Sequence, residues 1–259
     1  MRATPTSSAS RSTARPRSSW SSPTRAVRRP PSPSRGAPRS RPRHDGGVRI
    51  SGLTITSPDV AATQDAWRRL GTLDREIEVT PGEGGLAAVV LGVDDVAATE
   101  RLLQRRGLVG DADGFDLGGL TWRLAPFVEG EGIPSSTDLV LDHVVVRTGD
   151  AERAAADLGA RVGLDLRLDR RLMEHGFRGL FFRCGDAVVE VAAPIEPTGD
   201  PDSFGGLAWR SANIEATRER LVAGGVEVSE VRTGRKPGTR VATVRDRALG
   251  TPTLIIEQG

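Results

Sequence analysis

Apolar strand-like runs followed by capped, Ala-rich stretches recur four times along the chain. Four segments align without gaps: GLTITSPDVAAT from Gly52, AVVLGVDDVAAT from Ala88, HVVVRTGDAERA from His143 and GLAWRSANIEAT from Gly206. Seven positions after the first residue of each segment stands an Asp or Asn: Asp59, Asp95, Asp150 and Asn213. These residue types cap helices, because their side chains accept free backbone N–H groups of the first turn. The pattern predicts a repeated unit of strand, cap and helix.

The runs that follow each helix distinguish the four copies. Three strand-like runs follow the third helix (LDLRLDRRL, RGLFFRCG, AVVEVAAP) and three follow the fourth (VEVSEVR, TRVATVRD, PTLIIEQ), with turn residues between them. Both copies are therefore interpreted as βαβββ modules. The first copy has room only for LDREIEVT, and the second continues with GFDLGG and LTWRLAP, so both are shorter. We predict an α+β fold of paired βαβββ modules, with a reduced domain at 47–126 and a complete domain at 138–259.

Charge is distributed unevenly between the N-terminal region and the rest of the chain. Residues 1–46 carry eleven arginines and one acid among Ser, Pro, Thr and Ala, which predicts a disordered tail of charge +10. Two interpretations stay open: a basic arm or targeting peptide, or a segment outside the native protein, which then begins near Val48. The whole chain carries +2, so the remainder carries −8. We expect no nucleic-acid binding by the folded part.

Composition also bears on the compartment and on the boundary between the domains. No stretch approaches the roughly 18 apolar residues that span a bilayer, so no membrane partner is expected. The single cysteine, Cys184, excludes a disulfide framework and fits a reducing cytoplasm; we interpret it as a core residue. Residues 127–137 are rich in Gly, Glu, Pro and Ser and are predicted to be a linker.

Three ionisable residues stand in otherwise apolar strands of the second half. His143 lies in LVLDHVVVR, Glu190 in AVVEVAAP and Glu257 in PTLIIEQ. An isolated charge in a buried strand costs several kcal/mol unless it is paired, protonated or bound to a metal. We therefore expect these three side chains to meet.

Paired βαβββ modules with a strand-borne histidine before a capped helix, and a glutamate in the last strand, resemble the vicinal oxygen chelate superfamily. This superfamily includes glyoxalase I, extradiol dioxygenases, methylmalonyl-CoA epimerase and the fosfomycin and bleomycin resistance proteins. The resemblance covers residues 138–259 and, more weakly, 48–126. It implies a glyoxalase-like, curved mixed sheet around a divalent metal, with ligands on the first and last strands of each module.

The resemblance implies a specific set of site residues. The metal ligands would be His143, Glu190 and Glu257, and one of the two glutamates would also act as the catalytic base. One imidazole and two carboxylates suit Zn, Mn, Fe, Co or Ni. At the fourth ligand position the family usually has a second His or Gln, whereas this chain has Gly206. The implied function is that of a lyase, isomerase or dioxygenase acting on a small oxygen-rich metabolite.

A metal-free interpretation stays open beside the metal-dependent one. His143 can simply bond to a glutamate inside a cup that binds a small molecule, as the antibiotic-resistance relatives do. Side chains alternate between the two faces of a strand, so Arg147 should point to the same face as His143, and Arg210 to the same face as Gly206. Both arginines are therefore candidates to bind an anionic group of the substrate. The family forms cups within one chain or across a homodimer, so the sequence leaves the oligomeric state open.

Overall fold

Two mixed β-sheets and four α-helices make up the part of the chain that the computed structural model describes, residues 47–72, 77–111, 113–127 and 139–259. The predicted tail and residues 128–137 of the predicted linker lie outside the described residues. The first sheet is formed by the first half of the chain and the second sheet by the second half. The expected α+β class is confirmed.

The first sheet has six described strands in the order β2-β1-β3-β6-β5-β4. Strands β1 and β3 pair antiparallel, β1 pairs parallel with β2, and β3 pairs parallel with β6. The first copy of the unit thus has one strand after its helix, and the second has three, the first of which is only two residues long. The strands are β1 (Arg49–Ser57), β2 (Ile77–Pro81), β3 (Gly85–Val93), β4 (Gly110–Asp111), β5 (Gly114–Leu117) and β6 (Leu120–Pro126).

The second sheet has eight described strands in the order β12-β13-β14-β11-β7-β10-β9-β8. The first strands of its two modules, β7 and β11, pair antiparallel at the centre, and each pairs parallel with the last strand of its own module, β10 or β14. The strands are β7 (Leu139–Arg147), β8 (Asp165–Leu172), β9 (Phe177–Cys184), β10 (Ala187–Pro194), β11 (Ser203–Ser211), β12 (Arg232–Thr233), β13 (Thr239–Val244) and β14 (Thr253–Gln258).

All four helices begin at the predicted caps. Each cap side chain accepts the backbone N–H three positions later, at 2.9 to 3.1 Å: Asp59, Asp95, Asp150 and Asn213. The helices are α1 (Val60–Leu70), α2 (Val96–Arg105), α3 (Ala151–Ala155, continued as a π-helix over Ala156–Val162) and α4 (Ile214–Ala223). In the described part of the chain, no helix is long and apolar enough to cross a membrane.

One hydrophobic core contains residues of both sheets. Trp67 of α1 is fully buried, its ring centroid lies 6.1 Å from that of Trp209 of β11, and its indole N–H donates to the carbonyl of Leu249 at 3.1 Å. Trp209 and Ile255 face this core together with Ile214 of α4. The opposite face of the second sheet, which we call the open face, carries a separate small apolar cluster of Ala208, Val241, Leu254 and Ile256.

Candidate functional site

A β-bulge in β7 places two polar side chains beside each other on the open face. His143 pairs with Ala208 and Leu141 pairs with the next residue, Trp209, so Asp142 is an extra residue in β7. Such a bulge breaks the strict alternation of a strand. Asp142 Oδ2 lies 2.9 Å from His143 Nδ1, within hydrogen-bond distance of the ring nitrogen. The sequence analysis missed Asp142, because regular alternation places it on the face opposite His143.

Asp142 is held in a network of hydrogen bonds and charges. It is 8% exposed, and its Oδ1 accepts from Gln258 Nε2 at 3.0 Å and lies 3.4 Å from Arg210 Nη1. Burial alone would raise the pKa of this carboxyl group. The hydrogen bond from His143 and the positive charges of His143, Arg210 and Lys236 together lower the pKa below its ordinary value. Asp142 is therefore an ionised partner that orients the imidazole ring.

Glu190 lies on the other side of the same imidazole. Its Oε2 is 3.4 Å from His143 Nε2. Burial raises the pKa of Glu190 and the charge of Asp142 adds to the rise, while the charges of His143 and Arg235 act in the opposite direction. The imidazole ring thus lies between Asp142, whose surroundings favour the ionised carboxylate, and Glu190, whose burial favours the protonated carboxyl group.

Glu257 lies away from this pair, which corrects the predicted ligand set. Its Oε2 accepts the backbone N–H of Ile214, the first residue of α4, at 2.8 Å, and its Oε1 pairs with Arg240 Nη1 at 3.3 Å. Alternation along β14 explains why Glu257 lies away from His143. Ile255 faces the core, so Glu257, two residues later, points to the same side of the sheet, and Ile256 between them points to the open face. Glu257 stabilises the start of a helix, where a negative charge is favoured.

Gly206, at the fourth ligand position, is the residue that the backbone requires. Its φ is +136°, and a Cβ built there would lie 2.5 Å from the carbonyl oxygen of Pro252. The preceding residue, Gly205, is the extra residue of a second bulge, opposite Val145 and Val146. Any side chain at position 206 would therefore collide with Pro252, the residue before β14, so the backbone excludes a ligand from this position.

The donor set near His143 does not fit a resident metal centre with three or four protein ligands. His143 Nε2 and Glu190 Oε2 are close to each other, but Gly206 has no side chain at the fourth position, and the predicted third ligand, Glu257, is bound to Ile214 and Arg240 instead. Among the described residues, no group of three or more His, Cys, Asp or Glu side chains is arranged to hold a metal ion. The structure thus brings two of the three predicted ligands together.

A cavity of about 600 Å³ opens beside His143. Its lining combines glycine backbone and apolar side chains with two arginines, and includes His143, Val145, Gly206, Arg245, Arg247 and Leu254. The sequence analysis missed these two arginines, because they follow β13 and only residues of β7 and β11 were compared by strand alternation. Gly206 and Pro252, whose backbone atoms approach each other closely, both belong to the lining.

The two arginines that the sequence analysis selected have different surroundings. Arg210 on β11 lies against Asp142, so its charge is already partly neutralised. Arg147 on β7 is exposed, and its Nε would lie 3.1 Å from a Cβ built on Gly205, which lines the cavity. Arg147 is therefore the better placed of the two to reach a bound molecule.

The second half of the chain matches a known protein family. Residues 142–243 match the family model described as the glyoxalase/bleomycin resistance protein/dioxygenase superfamily. This segment is similar in sequence to that superfamily. The resemblance to the vicinal oxygen chelate proteins is thereby confirmed, and it supports a function of the general kind that this superfamily carries out. A search of curated protein sequences found no significant match.

Solved structures show the same glyoxalase-like fold over most of the chain. A halotolerant catechol dioxygenase, BphC, is 12% identical with a TM-score of 0.63, and the match covers 82% of this chain and 87% of that one. A triple mutant of 4-hydroxymandelate synthase from Streptomyces coelicolor is 15% identical with a TM-score of 0.60 and coverages of 82% and 92%. Methylmalonyl-CoA epimerase from Mycobacterium tuberculosis is 18% identical with a TM-score of 0.42 and coverages of 51% and 96%.

Proposed function

We propose that the chain binds a small organic molecule in the cavity beside His143 and does so without a resident metal ion. One observation supports this proposal most strongly: of the predicted ligands only His143 and Glu190 lie together, and a cavity opens beside His143 with Gly206, which has no side chain, in its lining. A volume of about 600 Å³ lies within the range of about 300 to 1,000 Å³ that is common for small-molecule sites.

The polar and apolar parts of the cavity have separate tasks in this proposal. Apolar side chains such as Val145 and Leu254 would contact the body of the ligand and remove it from water. His143 would form a directed hydrogen bond to the ligand, because Asp142 fixes its ring from the other side. The contact between Asp142 Oδ2 and His143 Nδ1 is also suited to holding one proton at Nδ1.

A neutral fluorescent probe tests the proposal. N-phenyl-1-naphthylamine fluoresces more strongly in apolar surroundings and is small enough for the cavity, so we expect it to bind the wild type. Val145→Trp adds a large side chain to the lining and should weaken probe binding at least tenfold, measured by fluorescence titration.

Val140→Trp is the matched control on the same strand. Val140 is 40% exposed and lies outside the cavity lining, so this variant should bind the probe as the wild type does. Equal loss of binding in both variants, or no binding by the wild type, would contradict the proposed site.

A metal-dependent lyase, isomerase or dioxygenase is the second candidate, with Zn, Mn, Fe, Co or Ni as the ion. The spacing of His143 Nε2 and Glu190 Oε2 favours it, because two atoms bound to one tetrahedral ion at about 2.1 Å lie about 3.4 Å apart, as these two do. In this candidate the remaining ligands would not come from Gly206 or Ile256. Measurement of bound metal distinguishes the two candidates.

A further inference from the structure

Two arginines on the segment between β13 and β14 line one side of the cavity, Arg245 and Arg247. We infer that this side receives an acid group of the ligand, so that the site selects anionic small molecules with an apolar body. The inference rests on the proposed function and adds the chemical class of the ligand.

Arg247 is an unneutralised cation at the cavity. Among the described residues, its side chain has no hydrogen bond or ion pair. The adjacent acid, Asp246, is occupied elsewhere: its Oδ1 accepts the N–H of Ala248 at 3.0 Å and its Oδ2 pairs with Arg69 at 3.1 Å. An arginine next to an apolar cavity can donate two parallel hydrogen bonds to a carboxylate, phosphate or sulfonate.

Arg245 is only weakly neutralised. Its Nη1 lies 3.5 Å from Glu227 Oε1, and both side chains are more than half exposed, so solvent screens the pair. The cavity lining includes one acidic residue, Glu227, and two arginines, so positive charge is in excess. Arg147, beside Gly205 of the cavity lining, adds a further positive charge. The field on this side therefore favours an anion.

The acids near His143 do not cancel this field. Asp142 is already bound to Arg210 and Gln258, Glu190 Oε2 lies 3.4 Å from His143 Nε2, and neither acid belongs to the cavity lining. The cavity thus has a hydrogen-bonding end at His143 and a cationic end at Arg247, with apolar residues such as Leu254 and Pro252 also in its lining. A molecule with an acid group joined to an apolar body fits this order.

A pair of probes that share one ring system tests the inference. 8-Anilinonaphthalene-1-sulfonate is N-phenyl-1-naphthylamine with a sulfonate added, so comparing them isolates the contribution of the acid group. In the double variant Arg245→Gln with Arg247→Gln, we expect the affinity for the sulfonate probe to fall about tenfold and the affinity for the neutral probe to stay within twofold. Glu227→Gln should have the opposite effect and strengthen sulfonate binding severalfold.

The control for net charge lies on α2. Arg101→Gln with Arg105→Gln removes the same charge from exposed positions away from the cavity, and should leave both affinities unchanged. Unaltered sulfonate binding in the cavity double variant, or an equal loss of both probes, would overturn the assignment of the acid group. Failure of the wild type to bind the neutral probe would instead overturn the proposed function.

Discussion

Gly206→Gln should lower the free energy of unfolding by about 3 kcal/mol, although glutamine is a residue type that relatives use at this ligand position. The backbone at 206 has a φ of +136°, which side chains rarely adopt, and the new Cβ would lie 2.5 Å from the carbonyl oxygen of Pro252. That carbonyl accepts the N–H of Leu207 at 2.9 Å. Moving it would therefore break a hydrogen bond between β11 and the residue that precedes β14.

Gly225→Gln is the control for a side chain at a positive φ where there is no collision. Gly225 also has a positive φ, +79°, but a Cβ there would meet nothing within 4 Å. We expect this variant to lose about 1 kcal/mol, the usual cost of an unfavourable φ alone. Urea denaturation of both variants gives the comparison. Equal, small losses would mean that position 206 tolerates a side chain.

Trp67→Ala should lower the free energy of unfolding by about 4 kcal/mol, as expected for removing a buried tryptophan. The indole is fully buried against Trp209 of the second sheet, and its N–H bond to Leu249 would also be lost. Because Trp67 belongs to the first half and both partners belong to the second, we expect the two sheets to unfold in one transition.

Arg68→Ala on the same helix is the matched surface change. Arg68 is exposed and pairs with exposed Asp65, so its removal should change stability by less than about 0.5 kcal/mol. The measurement is urea unfolding followed by circular dichroism and by tryptophan fluorescence. Two separate transitions, or a loss below about 1 kcal/mol in Trp67→Ala, would show that the halves are stable independently of this contact.

Local patterns predicted the repeated unit well. The four caps were found because an Asp or Asn side chain bonds to an N–H only three residues away, and this geometry depends on nearby sequence alone. His143 and Glu190 were placed on one face correctly, because no bulge separates their positions in the pairing of β7 with β10.

The parts of the site that the sequence analysis missed depend on distant strands. Asp142 reaches His143 only through a bulge that is set by the register with β11. Glu257 was assigned to the wrong face because its parity was not compared with that of Ile255, which packs in the core. The requirement for glycine at position 206 depends on how closely Pro252 approaches, which no local pattern reveals.

Metal content tests the central claim most directly. The protein, with His143→Ala and Glu190→Gln variants, would be produced in medium supplemented with Zn, Mn, Fe, Co and Ni and analysed by inductively coupled plasma mass spectrometry. Our account predicts far less than one ion per chain, equal in all three proteins, while the wild type still binds N-phenyl-1-naphthylamine. One ion per chain in the wild type, lost in both variants, would contradict it.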